Sequence, residues 1–261
     1  MNLLALPAFA DNYIWMLHDG HKALVVDPGD ATPVLEVLKR QGLELAAILV
    51  THRHLDHVGG LQALRPHLKG LVHGPTNSNT EGVDVRVHEG IYIDFQGLRV
   101  DVWDTPGHTA DHITFLVRFD LQQPGQPPLL FCGDTLFSAG CGRLYDGTAE
   151  QLFNALSRFR DLPGNTVVCC THEYTLDNLR FARAVEPDNT DTVAYEQDCQ
   201  RRRARGEPTL PTTIDIELSV NPFMRCDRPQ VIASAQQHGA RDDSGLEVFT
   251  ALRQWKNSFT T

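Results

Sequence analysis

Short apolar runs separated by turn residues dominate the first two thirds of the chain. Each run has the length of a strand and is rich in aliphatic and aromatic residues, which favour pleated sheet. The predicted strands cover residues 12–17, 22–26, 46–50, 92–95, 98–103, 113–117, 129–131 and 167–170. Apolar residues at helical spacing predict helices at about 32–41, 59–68 and 148–160.

The pattern changes near residue 174, after which helical spacing prevails at about 176–186, 191–205 and 244–257. The last of these helices begins with Ser244 and Glu247 at capping-box spacing. We therefore predict an α+β protein, with two sheets flanked by helices in residues 1–173 and an α-helical domain in residues 174–261.

Composition narrows the possible functions. A chain of 261 residues can bury a sizeable core, and a formal net charge of −10 disfavours a general nucleic-acid binder. An anionic substrate would consequently need a locally basic site. No apolar run approaches about 18 residues, which predicts no membrane span. The start of the chain lacks signal-peptide features and the six cysteines form no C-x-x-C pair, so we expect reduced thiols and a cytoplasmic location.

Six consecutive residues after the third predicted strand concentrate metal-binding groups: His52-Arg53-His54-Leu55-Asp56-His57. Imidazole and carboxylate are ligands that suit zinc or iron. His52 and His54, two apart on an extended segment, point to the same side. A turn at Leu55 would direct Asp56 and His57 elsewhere, so the motif predicts two adjacent metals.

Three further candidate ligands follow the ends of predicted strands: His108, Asp134 and His172. Loops at strand ends often carry functional groups. Each residue alone is more typical of a turn or a capped histidine, but together with the first four the set supplies seven ligands for two metals. We interpret His112 as a structural residue beside the site because seven ligands already fill it.

The motif T-H-x-H-x-D-H from Thr51 to His57, followed by the three later ligands, resembles the metallo-β-lactamase superfamily. The whole chain is similar to the glyoxalase II (hydroxyacylglutathione hydrolase) family within it. The closer resemblance rests on V-D-P-G at 26–29, C-G-D-T-L-F at 132–137, G-C-G-R at 140–143, T-H-E-Y-T at 171–175 and N-P-F-M-R at 221–225. It implies a four-layer αββα metallo-β-lactamase-like sandwich with a C-terminal helical domain.

The resemblance also implies a ligand set for two divalent ions per chain, zinc first, with iron and manganese also suited. The ligands of the first metal would be His52, His54 and His108. Those of the second would be Asp56, His57 and His172. Asp134 would bridge both metals, and Asp56 and Asp134 would act in catalysis with the hydroxide that bridges the metals.

The implied reaction is hydrolysis of S-(2-hydroxyacyl)glutathione, chiefly S-D-lactoylglutathione, to D-lactate and glutathione, the second step of methylglyoxal detoxification. The residues at the cysteinyl part of the substrate would be Arg143, Tyr145 and Tyr174. Arg253 and Lys256, three apart on the last predicted helix, would hold the glycine carboxylate. Position 143 is often lysine in the family, and arginine differs in hydrogen-bond geometry, which affects affinity rather than reaction. We expect a monomer whose partner is this small thioester, with no nucleic acid and no membrane.

Other functions of the same motif stay open at this point. A sulfur-handling oxygenase of the same fold would use a single iron. A nuclease would need a basic surface, which the net charge disfavours. A purely structural metal module is the weakest alternative because structural zinc sites are usually closed by four ligands.

Overall fold

The computed structural model of the protein describes residues 1–119 and 125–259. It forms two compact units. The first unit comprises Met1–Thr105 and Asp111–Gly133, and the second comprises Pro106–Ala110 and Asp134–Thr261. These units are groups of residues that pack compactly among themselves. The domain boundary between residues 173 and 174 stays a prediction from the sequence.

One sheet of the first unit has six strands, among the residues described, which are hydrogen-bonded in chain order. They are β1 (Asn2–Ala8), β2 (Asn12–His18), β3 (Lys22–Val26), β4 (Glu44–Leu49), β5 (Leu68–Pro75) and β6 (Val85–Val87). The pairs β1–β2 and β2–β3 are antiparallel, and the pairs from β3 to β6 are parallel. Parallel neighbours need a crossover, which α1 (Thr32–Gln41) supplies between β3 and β4. Its buried Val34, Val37 and Leu38 join the apolar core of this sheet.

A second group of strands in the first unit pairs antiparallel in the order β7 (Tyr92–Phe95), β8 (Leu98–Asp104), β9 (Ile113–Arg118) and β10 (Leu129–Phe131). Gln96 and Gly97 join β7 to β8 with φ of 54° and 78°. Positive φ at both central residues is the tight hairpin turn whose twist matches that of the strands. Nearly all of β9 is buried, as expected for a strand covered on both faces.

The second unit combines short strands with most of the helices. The strands form two antiparallel pairs: β11 (Leu136–Phe137) with β12 (Gly140–Cys141), and β13 (Val167–Cys169) with β14 (Thr212–Thr213). The helices are α4 (Ala149–Arg160), α5 (Thr175–Val185), α6 (Thr190–Ala204), α7 (Ile214–Val220), α8 (Pro229–Gln237) and α9 (Gly245–Ser258). Among the described helices, none has both the length and the apolar composition needed to cross a bilayer.

The sequence predicts one continuous helix at 59–68, and this prediction is wrong because the structure has shorter, separate elements there. The short helix α2 (Leu55–Val58) ends just before this segment, which forms α3 (Leu61–Leu64) and a 3₁₀ turn at Arg65–His67 before β5 begins at Leu68. The Gly60 N–H donates to the Pro28 carbonyl at 2.9 Å instead of continuing the helix. A Cβ on Gly60 would lie 2.5 Å from that carbonyl oxygen, so this close approach requires glycine.

A fully buried carboxylate, Glu217, organises the hairpin of β11 and β12. Its oxygens accept hydrogen bonds from the Ala139 N–H, Asn221 Nδ2 and the Thr212 hydroxyl, each at 2.8 Å. Asn221 Nδ2 also donates to the Gly140 carbonyl at 2.9 Å. Ala139 has φ of 55°, a left-handed conformation that persists in a residue with a Cβ only when its surroundings hold it. Burial raises the pKa of Glu217 to about 7, against the opposing effect of these hydrogen bonds.

This raised pKa predicts a pH-dependent contribution to stability. The ordinary pKa of glutamate is 4.5. Between that pH and about 7, Glu217 therefore keeps its proton in the folded chain and has lost it in the unfolded chain. The contribution of Glu217 is therefore fully present below pH 4.5 and is lost as the pH rises through about 7. We expect Glu217→Gln, which stays neutral, to gain up to about 3 kcal/mol in unfolding free energy relative to wild type between roughly pH 5 and pH 8. Urea unfolding at several pH values measures this difference.

The control is Glu150→Gln, which neutralises an exposed glutamate at the start of α4 and should leave the pH dependence close to that of wild type. A difference between Glu217→Gln and wild type that does not change with pH would contradict the assignment.

Candidate metal centre and anion pocket

The candidate ligands of the first unit lie where a strand passes into a helix. β4 ends at Leu49 and α2 begins at Leu55. His54, just before the helix, has the extended φ and ψ of −64° and 145°, so the backbone changes direction between His54 and Leu55. This is the turn that the sequence predicts, and it separates an earlier pair of ligands from a later pair.

Within each pair the donor atoms face one another. Nε2 of His52 lies 3.0 Å from Nδ1 of His54, and Nε2 of His57 lies 3.5 Å from Oδ2 of Asp56. His52 and His57 are fully buried, while His54 and Asp56 are half-buried. Two pairs of converging donors in a largely buried place are suited to cations.

In the second unit one carboxylate stands between two imidazoles. Oδ2 of Asp134 lies 3.4 Å from Nε2 of His108, and its Oδ1 lies 3.4 Å from Nε2 of His172. All three side chains are buried. A carboxylate that offers one oxygen toward each of two histidines has the geometry expected of a ligand shared by two metals.

Polar neighbours of the remaining ring nitrogens hold the orientation of three of these rings. Nδ1 of His57 lies 3.0 Å from Oδ2 of Asp27, and Nδ1 of His52 lies 3.1 Å from Oγ1 of Thr51. In the second unit, Nδ1 of His108 lies 2.8 Å from the Arg143 carbonyl oxygen. Such partners commonly set the tautomer and orientation of metal-ligating histidine. Asp27 both contacts His57 and turns the backbone, since its φ is 52°.

Sequence reasoning missed two residues that support these ligands. Asn12 donates from Nδ2 to Oδ2 of Asp56 at 3.0 Å; its position at the start of a predicted strand gave no signal of this. In the sequence, Thr51 stood out only as the first residue of the T-H-x-H-x-D-H motif. His112 stacks on His52 with ring centroids 4.9 Å apart and contacts the Thr105 hydroxyl through Nδ1 at 3.1 Å, which agrees with the supporting role predicted for it.

These distances fit a divalent metal. Ligands about 2.0–2.1 Å from a tetrahedral zinc lie about 3.3 Å from one another, and the four donor–donor separations range from 3.0 to 3.5 Å. Nitrogen and carboxylate oxygen donors suit zinc, iron and manganese. Both units therefore carry histidine–aspartate clusters that can hold divalent metal ions.

A pocket of about 780 Å³ opens in the second unit beside Asp134 and His108. All five residues predicted to bind substrate line it: Arg143, Tyr145, Tyr174, Arg253 and Lys256. The sequence analysis missed Asp177 and Arg180 on α5, which also line it. The only signal for them was their spacing of three residues on a predicted helix just after Tyr174.

The two predicted cations of α9 differ in their surroundings. Arg253 is only 4% exposed. It donates from Nη1 to the carbonyls of Cys141 at 3.0 Å and Gly142 at 3.3 Å. Lys256 is half-buried and donates from Nζ to the Asp177 carbonyl at 3.2 Å. Burial, together with nearby Arg253, lowers the pKa of Lys256 to about 8.

Comparison with known proteins covers nearly the whole chain. Residues 9–172 match the model of the metallo-beta-lactamase superfamily, and residues 173–259 match that of the hydroxyacylglutathione hydrolase C-terminus. A hydroxyacylglutathione hydrolase of Chromohalobacter salexigens is 49% identical over 99% of this chain and 100% of its own. One of Albidiferax ferrireducens is 48% identical with the same coverage.

Among solved structures, the crystal structure of ETHE1 from Myxococcus xanthus has a TM-score of 0.61 and 26% identity, covering 85% of this chain and 84% of that one. These matches confirm the predicted α+β fold, with its two sheets, its helices and a C-terminal helical region. The matches over both halves, at close to half identity along the full length, place the chain in the hydroxyacylglutathione hydrolase family of the metallo-β-lactamase superfamily.

Proposed function

We propose that the protein hydrolyses S-(2-hydroxyacyl)glutathione thioesters, chiefly S-D-lactoylglutathione, to a 2-hydroxy acid and glutathione. The observation that carries this proposal is the Asp134 carboxylate, which faces His108 and His172 and also lines a cation-rich pocket. Ligands for a hydrolytic metal pair thus adjoin a place for an anionic peptide. Membership of the hydroxyacylglutathione hydrolase family supports the same reaction.

Two divalent ions per chain would be held by the seven ligands of the sequence motif, with Asp134 shared between them. When bound, such ions lower the pKa of water towards about 7 and polarise a carbonyl oxygen. Asp27, Thr51 and Asn12 keep the first unit's ligands oriented. Zinc is our first choice, and iron and manganese suit the same donors.

The leaving group explains why this chain needs no further acid at the scissile bond. A thiol with an ordinary pKa of about 8.5 departs as a thiolate near neutral pH. Around the cysteinyl part of the substrate we place Arg143, Tyr145 and Tyr174. The Tyr174 ring stacks on His172 with centroids 4.7 Å apart, and Tyr145 meets the His108 ring edge-on at 5.1 Å.

Several further proposals rest on the sequence. They are a domain boundary between residues 173 and 174, a monomeric state, a cytoplasmic location and a place as the second step of methylglyoxal detoxification. The alternative function, a single-iron sulfur oxygenase of the same fold, predicts about one iron per chain. The ligand count and the position of Asp134 favour two metals.

The reaction is tested with metal-replete protein and two esters that share the D-lactoyl group. One ester is S-D-lactoylglutathione, and the other carries the acyl group on a short thiol without carboxylates. We expect kcat/KM to be at least about tenfold higher for the glutathione ester, since a charge-assisted hydrogen bond contributes about 1.5–3 kcal/mol. Equal values would contradict glutathione recognition, and hydrolysis of neither ester, with one iron per chain, would favour the oxygenase.

Replacing Asp134 tests the shared ligand. We expect Asp134→Ala to lose most bound metal and nearly all turnover, because both metals would lose a ligand at once. Metal per chain, measured by elemental mass spectrometry alongside thioester hydrolysis, checks this, and Asp134→Asn repeats the test in a side chain of the same shape. The control is Asp161→Ala, an exposed position after α4. Full metal content with full activity would exclude the bridging role.

Replacing Lys256 tests the pocket. Lys256→Met keeps an unbranched apolar side chain and removes the charged Nζ, which lies 5.1 Å and 5.8 Å from the ring centroids of Phe181 and Phe259. We expect KM for S-D-lactoylglutathione to rise about tenfold, with kcat changed less than about twofold, as loss of uniform binding predicts. Lys39→Met, an exposed lysine on α1, is the charge-matched control. An unchanged KM would remove Lys256 from the binding site.

A further inference from the structure

The turn between β1 and β2 carries an exposed aromatic ring. β1 ends at Ala8 and β2 begins at Asn12, and these two residues pair across the hairpin. Three residues therefore close the turn, and the first of them is Phe9. Phe9 is 61% exposed, although an aromatic side chain gains free energy when it leaves water. Single exposed apolar residues are common on protein surfaces, so exposure alone assigns no role to Phe9.

The backbone conformation of Phe9 adds a second cost. Its φ is 52°, in the left-handed region that residues with a bulky side chain adopt only with strain. A glycine would adopt this φ freely and would also remove the exposed ring. Strained residues of this kind concentrate at functional sites, and Asp27, with the same φ of 52°, contacts His57. The combination of strain and exposure indicates that the Phe9 ring has a function.

A hydrogen bond holds this turn beside a candidate metal ligand. Asn12, the residue that follows the turn, donates from Nδ2 to Oδ2 of Asp56 at 3.0 Å. Ala8, the strand partner of Asn12, directly precedes Phe9. Paired residues of antiparallel strands have Cα atoms about 4.5–5.5 Å apart, and consecutive Cα atoms are about 3.8 Å apart. Phe9 therefore lies at the edge of the first unit's ligand cluster.

A second exposed apolar residue near Asp56 belongs to a different surface. Leu55 is 80% exposed, but together with Val58 it lines a separate cavity of about 790 Å³. Residues three apart on a helix share a face, and Asp56 and His57 lie on the other face of α2. Phe9 is therefore better placed than Leu55 to meet a molecule bound at the ligands.

The acyl end of the proposed substrate needs an apolar contact. The cation-lined pocket of the second unit is suited to the glutathione part, and the metals would hold the scissile carbonyl. The group on the other side of that carbonyl is the 2-hydroxyacyl group, which carries an apolar methyl in the D-lactoyl ester. An aromatic ring at the edge of the ligands can cover such a methyl and remove it from water.

We propose that Phe9 contacts the substituent on the 2-hydroxyacyl carbon and favours esters in which this substituent is apolar. The inference rests on the proposed hydrolysis of glutathione thioesters and adds to it a specificity determinant at the acyl end. The ring is exposed in the unbound protein because its apolar partner arrives with the substrate.

The test compares three glutathione thioesters that differ only in the substituent on the 2-hydroxyacyl carbon. The substituent is hydrogen in the glycoloyl ester, methyl in the D-lactoyl ester and phenyl in the D-mandeloyl ester. Ratios of kcat/KM, compared between variant and wild type, cancel the intrinsic reactivity of each ester. We expect Phe9→Ala to lower the methyl-to-hydrogen ratio about two- to fourfold and the phenyl-to-hydrogen ratio about tenfold.

Two variants serve as controls. Phe9→Leu keeps an apolar side chain and should preserve the methyl-to-hydrogen ratio while losing part of the preference for phenyl. Tyr92→Ala removes an aromatic residue of β7 that is 58% exposed, and it should leave both ratios at the wild-type values. Equal losses with all three esters in Phe9→Ala would overturn the proposal, because a role in the metal site or the fold would not depend on the acyl group.

Urea unfolding separates function from support of the fold. We expect Phe9→Gly to unfold at higher urea than Phe9→Ala, because only glycine adopts a φ of 52° without strain. Neither variant should unfold at markedly lower urea than wild type, since the ring is largely exposed. If both variants are much less stable than wild type, the ring supports the hairpin and the proposal is overturned.

The outcomes also distinguish this proposal from the proposed function. If wild type hydrolyses the glutathione esters and Phe9→Ala keeps both wild-type ratios, the role of Phe9 is overturned and the hydrolase stands. Failure of wild type to hydrolyse any of the three esters would overturn both proposals.

Discussion

The orientation of the first unit's ligands depends on the contacts of one carboxylate, that of Asp27. Its oxygens accept hydrogen bonds from the Thr51 N–H and hydroxyl, both at 2.7 Å, and Oδ2 also lies 3.0 Å from Nδ1 of His57. Parallel pairing of Val26 with Leu49 places Asp27 beside Thr51. The register of two strands thus fixes which imidazole nitrogen of His57 faces the other candidate ligands of this unit, and a shift of that register would lose the arrangement.

In the second unit, buried hydrogen bonds hold the segment between Asp134 and Arg143 in one conformation. Glu217 and Asn221 hold the hairpin from one side, and Asn178 donates to the Ser138 carbonyl at 3.0 Å. Each donor or acceptor in this network is buried, so an imperfect fit would leave a polar group without water or partner. Such a network tolerates few alternative conformations, and the pocket wall is correspondingly well defined.

Residues whose chemistry is concentrated in a short motif could be predicted from the sequence. Residues whose role depends on where the folded chain places them could not. The His52–His57 cluster is visible because six neighbouring residues carry four ligands. β1 was missed because its run of leucines does not alternate and contains Pro7, and β6 because it has only three residues. Glu217 was not singled out from the sequence, and Arg180 and Asp177 offered only their spacing, since neither burial nor a shared pocket can be seen from spacing alone.

The pocket also shows how an acidic chain can bind an acidic ligand. Net charge governs the field at long range, and that field is screened within about 8–10 Å at physiological ionic strength. At contact distance, the electrostatic potential in the pocket is set instead by the half-buried Lys256 and its neighbouring arginines. Because the pKa of Lys256 is about 8 in the unbound protein, a bound carboxylate that raises it must favour the protonated form. Binding and protonation are therefore linked, and affinity for an anion declines as the pH rises above that value.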